Sequence, residues 1–69
     1  MCYWFEREGN YLRCEVRDTG DRYELRIVKP DGTEHIERFV ESSRLHMRQI
    51  RLEQRLLEEG WKGPHGRNT

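Results

Sequence analysis

Hydrophobic and polar positions follow two different periods along this chain, and the period changes near residue 41. Up to that point they alternate. Leu12, Cys14 and Val16 interleave with Tyr11, Arg13, Glu15 and Arg17, and Tyr23, Leu25 and Ile27 interleave with Glu24 and Arg26. A period of two marks a strand with one packed face and one wet face. Residues 2–7 are aromatic-rich and residues 33–39 more polar, and both read as flanking strands. Between the four runs stand Gly9-Asn10, Asp18-Thr19-Gly20-Asp21 and Pro30-Asp31-Gly32, all turn chemistry. The first part is therefore expected to be a four-stranded antiparallel meander.

Charge selects the register of the middle hairpin. A two-residue turn at Thr19-Gly20 sets Arg17 against Arg22, Glu15 against Glu24 and Arg13 against Arg26, three like-charge pairs in a row. A four-residue turn sets Arg17 against Glu24, Glu15 against Arg26, Val16 against Leu25 and Cys14 against Ile27, and is preferred. Gly9-Asn10 suits a type II′ turn that pairs Glu6 with Arg13, Phe5 with Cys14 and Tyr3 with Val16. In the third hairpin a two-residue Asp31-Gly32 turn pairs Ile27 with Ile36 and Arg26 with Glu37. Pro30 supports a rival three-residue turn with a bulge, which brings His35 inward and sends Ile36 outward. The first arrangement is preferred because it buries Ile36.

From Ser42 apolar residues recur at helical spacing. Ser42 or Ser43 is placed to cap a helix running to about Glu59, Gly60 to end it, and Trp61 to fold back on Leu56. At ~100° per residue Leu45, Leu52 and Leu56 form one apolar stripe. Ile50 and Leu57, with His46 beside them, form a second roughly 120° away. Arg44, Arg48, Arg51 and Arg55 lie together on a further sector. The expected fold is α+β, a ββββα domain over residues 1–61 with the helix on one sheet face. Residues 62–69 lack periodicity and are expected to be a flexible tail, with a partner handle as its functional reading.

Length changes the picture. At 69 residues, 33% hydrophobic, the chain is near the size at which a core needs help from disulfides, a metal or a partner subunit. With one apolar stripe on the sheet and a second left over, a homodimer is expected, with Ile50, Leu57 and His46 as its contact. Cys2 and Cys14 fall on opposite sheet faces, so they read as free thiols of a reducing compartment, and cytoplasm is the expected location. No run approaches the ~20 apolar residues of a membrane span, and the start of the chain is not a secretory signal.

Thirteen Lys+Arg balance thirteen Asp+Glu. Residues 1–40 hold seven basic and nine acidic side chains, and residues 41–69 six and four. Two arginine-bearing surfaces follow as candidates for nucleic-acid or partner contact. One is the outer sheet face, with Trp4, Arg13, Arg17, Arg26 and His35 among Glu6, Glu15, Glu24 and Glu37. Aromatic and guanidinium groups on an open sheet can stack unpaired bases, but the opposed glutamates favour a neutral ladder. The other is the helix stripe of Arg44, Arg48, Arg51 and Arg55, which reads either as a phosphate-binding track or as a solvated face. His35, His46 and His65 match no zinc spacing. No glycine loop cradles phosphate, and no nucleophile sits beside a base. No catalytic residue, metal or cofactor is therefore expected.

In element order, residues 2–59 resemble the unit of Whirly-type and PUR-type single-strand-binding proteins. That resemblance implies paired units that bind unpaired nucleic acid, though fold does not fix function. The residues themselves lead to a small non-enzymatic interaction module acting as a homodimer with an unknown protein partner. The alternative is a weak single-stranded DNA or RNA binder using either arginine surface.

Overall fold

The computed structural model of the chain describes residues 1–66. Five strands and one helix follow in the order β1 (Cys2–Arg7), β2 (Asn10–Asp18), β3 (Tyr23–Val28), β4 (Glu34–Phe39), α1 (Ser42–Glu58) and β5 (Lys62–His65). The α+β class holds. The sheet is antiparallel with spatial order β4-β3-β2-β1-β5. Two expectations are corrected here. The strands number five, and the helix is followed by a strand. Lys62–His65, expected within a flexible tail, pairs with β1. Residues 67–69, the rest of that segment, lie outside the described residues. None of the described helices is long and apolar enough to cross a membrane.

The middle hairpin has the register that charge selects, with Arg17 opposite Glu24, Glu15 opposite Arg26 and Cys14 opposite Ile27. The first hairpin differs. Glu6 faces Tyr11, Phe5 faces Leu12 and Tyr3 faces Cys14. The turn sits one residue earlier than expected, at Glu8 and Gly9, whose φ values of 51° and 80° make it a type I′ turn. That turn's twist matches its strands. The slip in pairing is two residues, so every side chain keeps its predicted face. Cys2 is exposed and Cys14 buried, and neither is in a disulfide.

The third hairpin takes the three-residue turn. Gly32 N–H donates to Lys29 O at 2.9 Å and Lys29 N–H to Thr33 O at 2.8 Å, the pattern of a turn closed by a bulge. Pro30 presets the second turn position, and the Asp31 carboxylate accepts from the Thr33 amide at 3.0 Å and its hydroxyl at 2.7 Å. Ile27 therefore faces His35 and Arg26 faces Ile36. This one-residue change reverses the faces of β4. Ile36 is exposed, and His35 and Glu37 join the helix side instead of the outer face.

The core is shared between sheet and helix. Tyr3, Phe5, Leu12, Cys14, Leu25 and Ile27 pack against Leu45, Leu52, Leu56 and Trp61, so the Leu45/Leu52/Leu56 stripe is the buried one. Gln49 is buried between its turns. At the N-terminus of α1 the cap is Glu41, with no side-chain cap bond. Ser42 and Ser43 are already helical, which corrects the expected cap. The C-terminus closes as expected. Gly60 N–H donates to Leu57 O at 3.1 Å and Trp61 N–H to Leu56 O at 2.9 Å, the paired bonds of a Schellman motif.

That closure explains β5. Trp61 is buried, and the Arg7 guanidinium lies 4.5 Å over its ring while donating to Glu59 O at 2.9 Å. The chain is thereby delivered beside β1. Gly63 (φ +149°) then passes so close that a Cβ there would stand 2.8 Å from the Phe5 ring and 2.9 Å from Trp4 O. His65 comes to rest beside Trp4, ring centres 5.9 Å apart.

Candidate functional site

Three surfaces carry the residues singled out from the sequence. The first is the uncovered sheet face. Trp4 stands opposite Arg13, which stands opposite Val28, so these side chains form a row with His65 at its end. Trp4, Tyr11, Arg13, Val28, Lys29 and Pro30 line a shallow hollow there, with Trp4 40% and Tyr11 59% exposed. Farther along, the carboxylates take up most of the charge. Arg13 meets Glu15 at 2.8 Å, Arg26 meets Glu34 at 3.3 Å, and the Glu24 carboxylate accepts from Arg38 at 3.2 Å. The Arg13–Glu15 pair runs along its strand and the Arg26–Glu34 pair diagonally between strands, while Glu24 and Arg38 are directly opposed. Arg17 makes no ion pair among the described residues.

The second surface lies where β4 turns into α1. Arg38, Phe39, Val40, Glu41, Ser43, Arg44, Met47, Arg48 and Arg51 line a groove of about 820 Å³. Val40 and Met47 are exposed within it, at 74% and 49%. The reversed face of β4 shapes its floor. Glu37, turned toward the helix, accepts from Arg48 Nε at 2.9 and 3.0 Å and meets His35 Nε2 at 3.0 Å. The Arg48 hydrogen bond holds the Glu37 carboxyl below the usual carboxylate range, against an opposing push from burial. The Arg48 pKa is raised in turn by the same bond. Arg44 reaches the Glu41 carboxylate only at 4.0 Å, and Arg51 makes no ion pair among the described residues.

The expected four-arginine stripe is therefore split. Arg44, Arg48 and Arg51 share the groove. Arg55 pairs with Glu59 at 3.2 Å and borders a different hollow with Leu12, Ile27 and Lys29, which Arg48 also lines. Of the seven arginines singled out, Arg13, Arg26, Arg44, Arg48 and Arg55 have a carboxylate within 4.0 Å. A phosphate chain on either surface would compete with carboxylates already in place. Sequence reasoning missed Arg38, Val40 and Met47. Their signal, the run Arg38-Phe39-Val40 followed by Met47 one turn into the helix, becomes legible only with the third hairpin's register.

The third surface is the helix flank of the expected dimer contact. Leu57 is 49% exposed, Ile50 is half-buried and His46 is exposed. His46 and Gln49 border a hollow with Met1 and Val16.

No protein-family model, no curated protein and no solved structure matches the chain. The resemblance in element order covers residues 2–59, and β5 lies beyond it.

Proposed function

We propose that the chain is a small non-enzymatic interaction module that works as a homodimer and receives a protein partner in the groove between β4 and α1. The observation that carries this reading is the groove's composition. Exposed Val40 and Met47 lie among four arginines, the mixture of apolar anchor and guanidinium that dominates protein interfaces. Self-association is supported by Leu57 and Ile50, on a flank roughly 120° around the helix from the buried stripe. Peptide-display selection on the full chain tests the groove. Selected binders lose affinity on Met47→Glu, and binders indifferent to that change contradict the assignment. Light scattering at micromolar concentration tests the dimer. Twice the chain mass is expected, falling to the chain mass in Leu57→Glu, and a monomeric parent chain contradicts it.

A second reading, single-stranded DNA or RNA on the outer sheet face, is favoured by one observation: exposed Trp4 and Tyr11 share a hollow with Arg13 and Lys29. Its test is Trp fluorescence against an oligonucleotide at low salt, where electrostatic affinity is greatest. Absence of any change there removes it.

A further inference from the structure

The strand that forms the wall of the groove is also an end strand. β4 is the first in the sheet order and has a neighbour on one side only, β3. Which of its backbone groups are free follows from the ladder. The Lys29 amide donates to Thr33 O, and in an antiparallel pair the hydrogen-bonded positions recur at every second residue. Thr33 thus turns its C=O toward β3, and His35, Glu37 and Phe39 both their N–H and C=O. Glu34, Ile36 and Arg38 turn theirs toward the open edge.

An exposed edge is a template for one more strand, and proteins that do not use it normally blunt it. This edge is not blunted by proline, and Glu34, His35 and Ile36 on it are exposed. Its C-terminal end opens directly into the arginine groove. Four guanidinium groups and one carboxylate, Glu41, line that groove. Arg38 and Arg48 are committed to Glu24 and Glu37. Arg51 has no carboxylate among the described residues, and Arg44 has only a distant one.

Resting on the interaction-module reading, we propose that the groove's occupant is an extended acidic segment of another protein that adds to β4 as a sixth strand. Its backbone pairs with Ile36 and Arg38, its carboxylates meet Arg51 and Arg44, and an apolar side chain covers Val40 and Met47. Main-chain pairing supplies affinity that is indifferent to sequence, and the two arginines supply the preference for acid.

The probe is a short, end-blocked peptide alternating Glu and Val, titrated into the full chain and followed by amide NMR and hydrogen exchange. Binding with slowed exchange at the Ile36 and Arg38 amides is expected. Affinity should fall by about tenfold in Arg51→Glu and again in Arg44→Glu. It should be lost when Lys replaces Glu in the peptide. Two controls isolate the main chain. The peptide N-methylated at alternate residues removes its own donors and leaves the protein intact. Ile36→Pro removes one edge donor at a position where an end strand tolerates proline. Both should abolish binding. Groove binding without slowed exchange at Ile36 and Arg38 overturns strand addition while leaving the interaction module standing. Equal binding of the Lys peptide overturns the acidic preference. If an oligonucleotide occupies the groove in place of the peptide, both this proposal and the protein-partner reading fall.

Discussion

Replacing Gly63 by alanine tests how strand β5 is held, and its magnitude follows from the local geometry. The added Cβ would lie 2.8 Å from Phe5 Cδ2 and 2.9 Å from Trp4 O. Phe5 is fully buried, so its ring has nowhere to withdraw, and the Trp4 carbonyl belongs to a strand paired on both sides. Forcing a methyl into such a site costs about 1–3 kcal/mol. The φ of +149° adds about 1–3 kcal/mol for a residue with a side chain. Partial relaxation makes the two less than additive, and about 2–4 kcal/mol is expected. A domain of this size is stable by roughly 3–10 kcal/mol, so the variant should melt lower by at least about 10 °C. Gly20→Ala is the control, because its φ is +101° but nothing lies within 4 Å of the new Cβ. It should lose only about 1 kcal/mol. Urea unfolding of both variants, followed by circular dichroism and Trp fluorescence, reads the difference. Equal losses at the two positions would refute the close approach of β5 to β1.

Three further outcomes are expected. Because Arg48 holds the Glu37 carboxyl below its ordinary value of 4.5, the pair's contribution is complete above that value and disappears as pH falls through the lower folded-state value. Stability measured between about pH 6 and pH 3 should therefore drop more steeply in the parent chain than in Glu37→Gln, and parallel curves would contradict the pair. Trp61→Ala removes a buried ring and the stacked Arg7 contact. It should cost about 3–5 kcal/mol in chemical denaturation, with a cost under about 1 kcal/mol counting against the closure of α1. Glu41→Ser supplies the missing N-cap oxygen and should raise stability by about 0.5–1 kcal/mol, whereas Ser42→Ala should change it by less than about 0.5 kcal/mol; thermal melts distinguish the two.

What was legible in the sequence was what local pattern and charge can decide. The β2–β3 register follows from Arg17, Glu24, Glu15 and Arg26, since only one alignment avoids like charges. The helix and its end at Gly60-Trp61 follow from apolar spacing and cap chemistry. The β1–β2 turn is not legible in its exact place because it puts Glu8, a residue with a side chain, at positive φ, while Asn10 is the more usual occupant. Pro30 carries the correct signal for the third hairpin, but burial of Ile36 points to the other register. The candidate groove is hidden with it, because Glu37 meets Arg48 only when β4 shows its other face to the helix. β5 was illegible for a different reason. Lys62-Gly63-Pro64-His65 has no alternation to read, and its partner strand lies at the far end of the chain. It forms because Trp61 and Arg7 deliver it to β1 and Gly63 fits there.

The most direct test of the groove between β4 and α1 as the docking surface is chemical-shift mapping of the full chain with the acidic Glu-Val peptide, set beside a single-stranded oligonucleotide at low salt. The account predicts that the peptide perturbs Ile36, Arg38, Val40, Met47 and Arg51 and that the oligonucleotide leaves them unmoved. Perturbations centred on Trp4, Tyr11 and Arg13, with the groove silent, would contradict it.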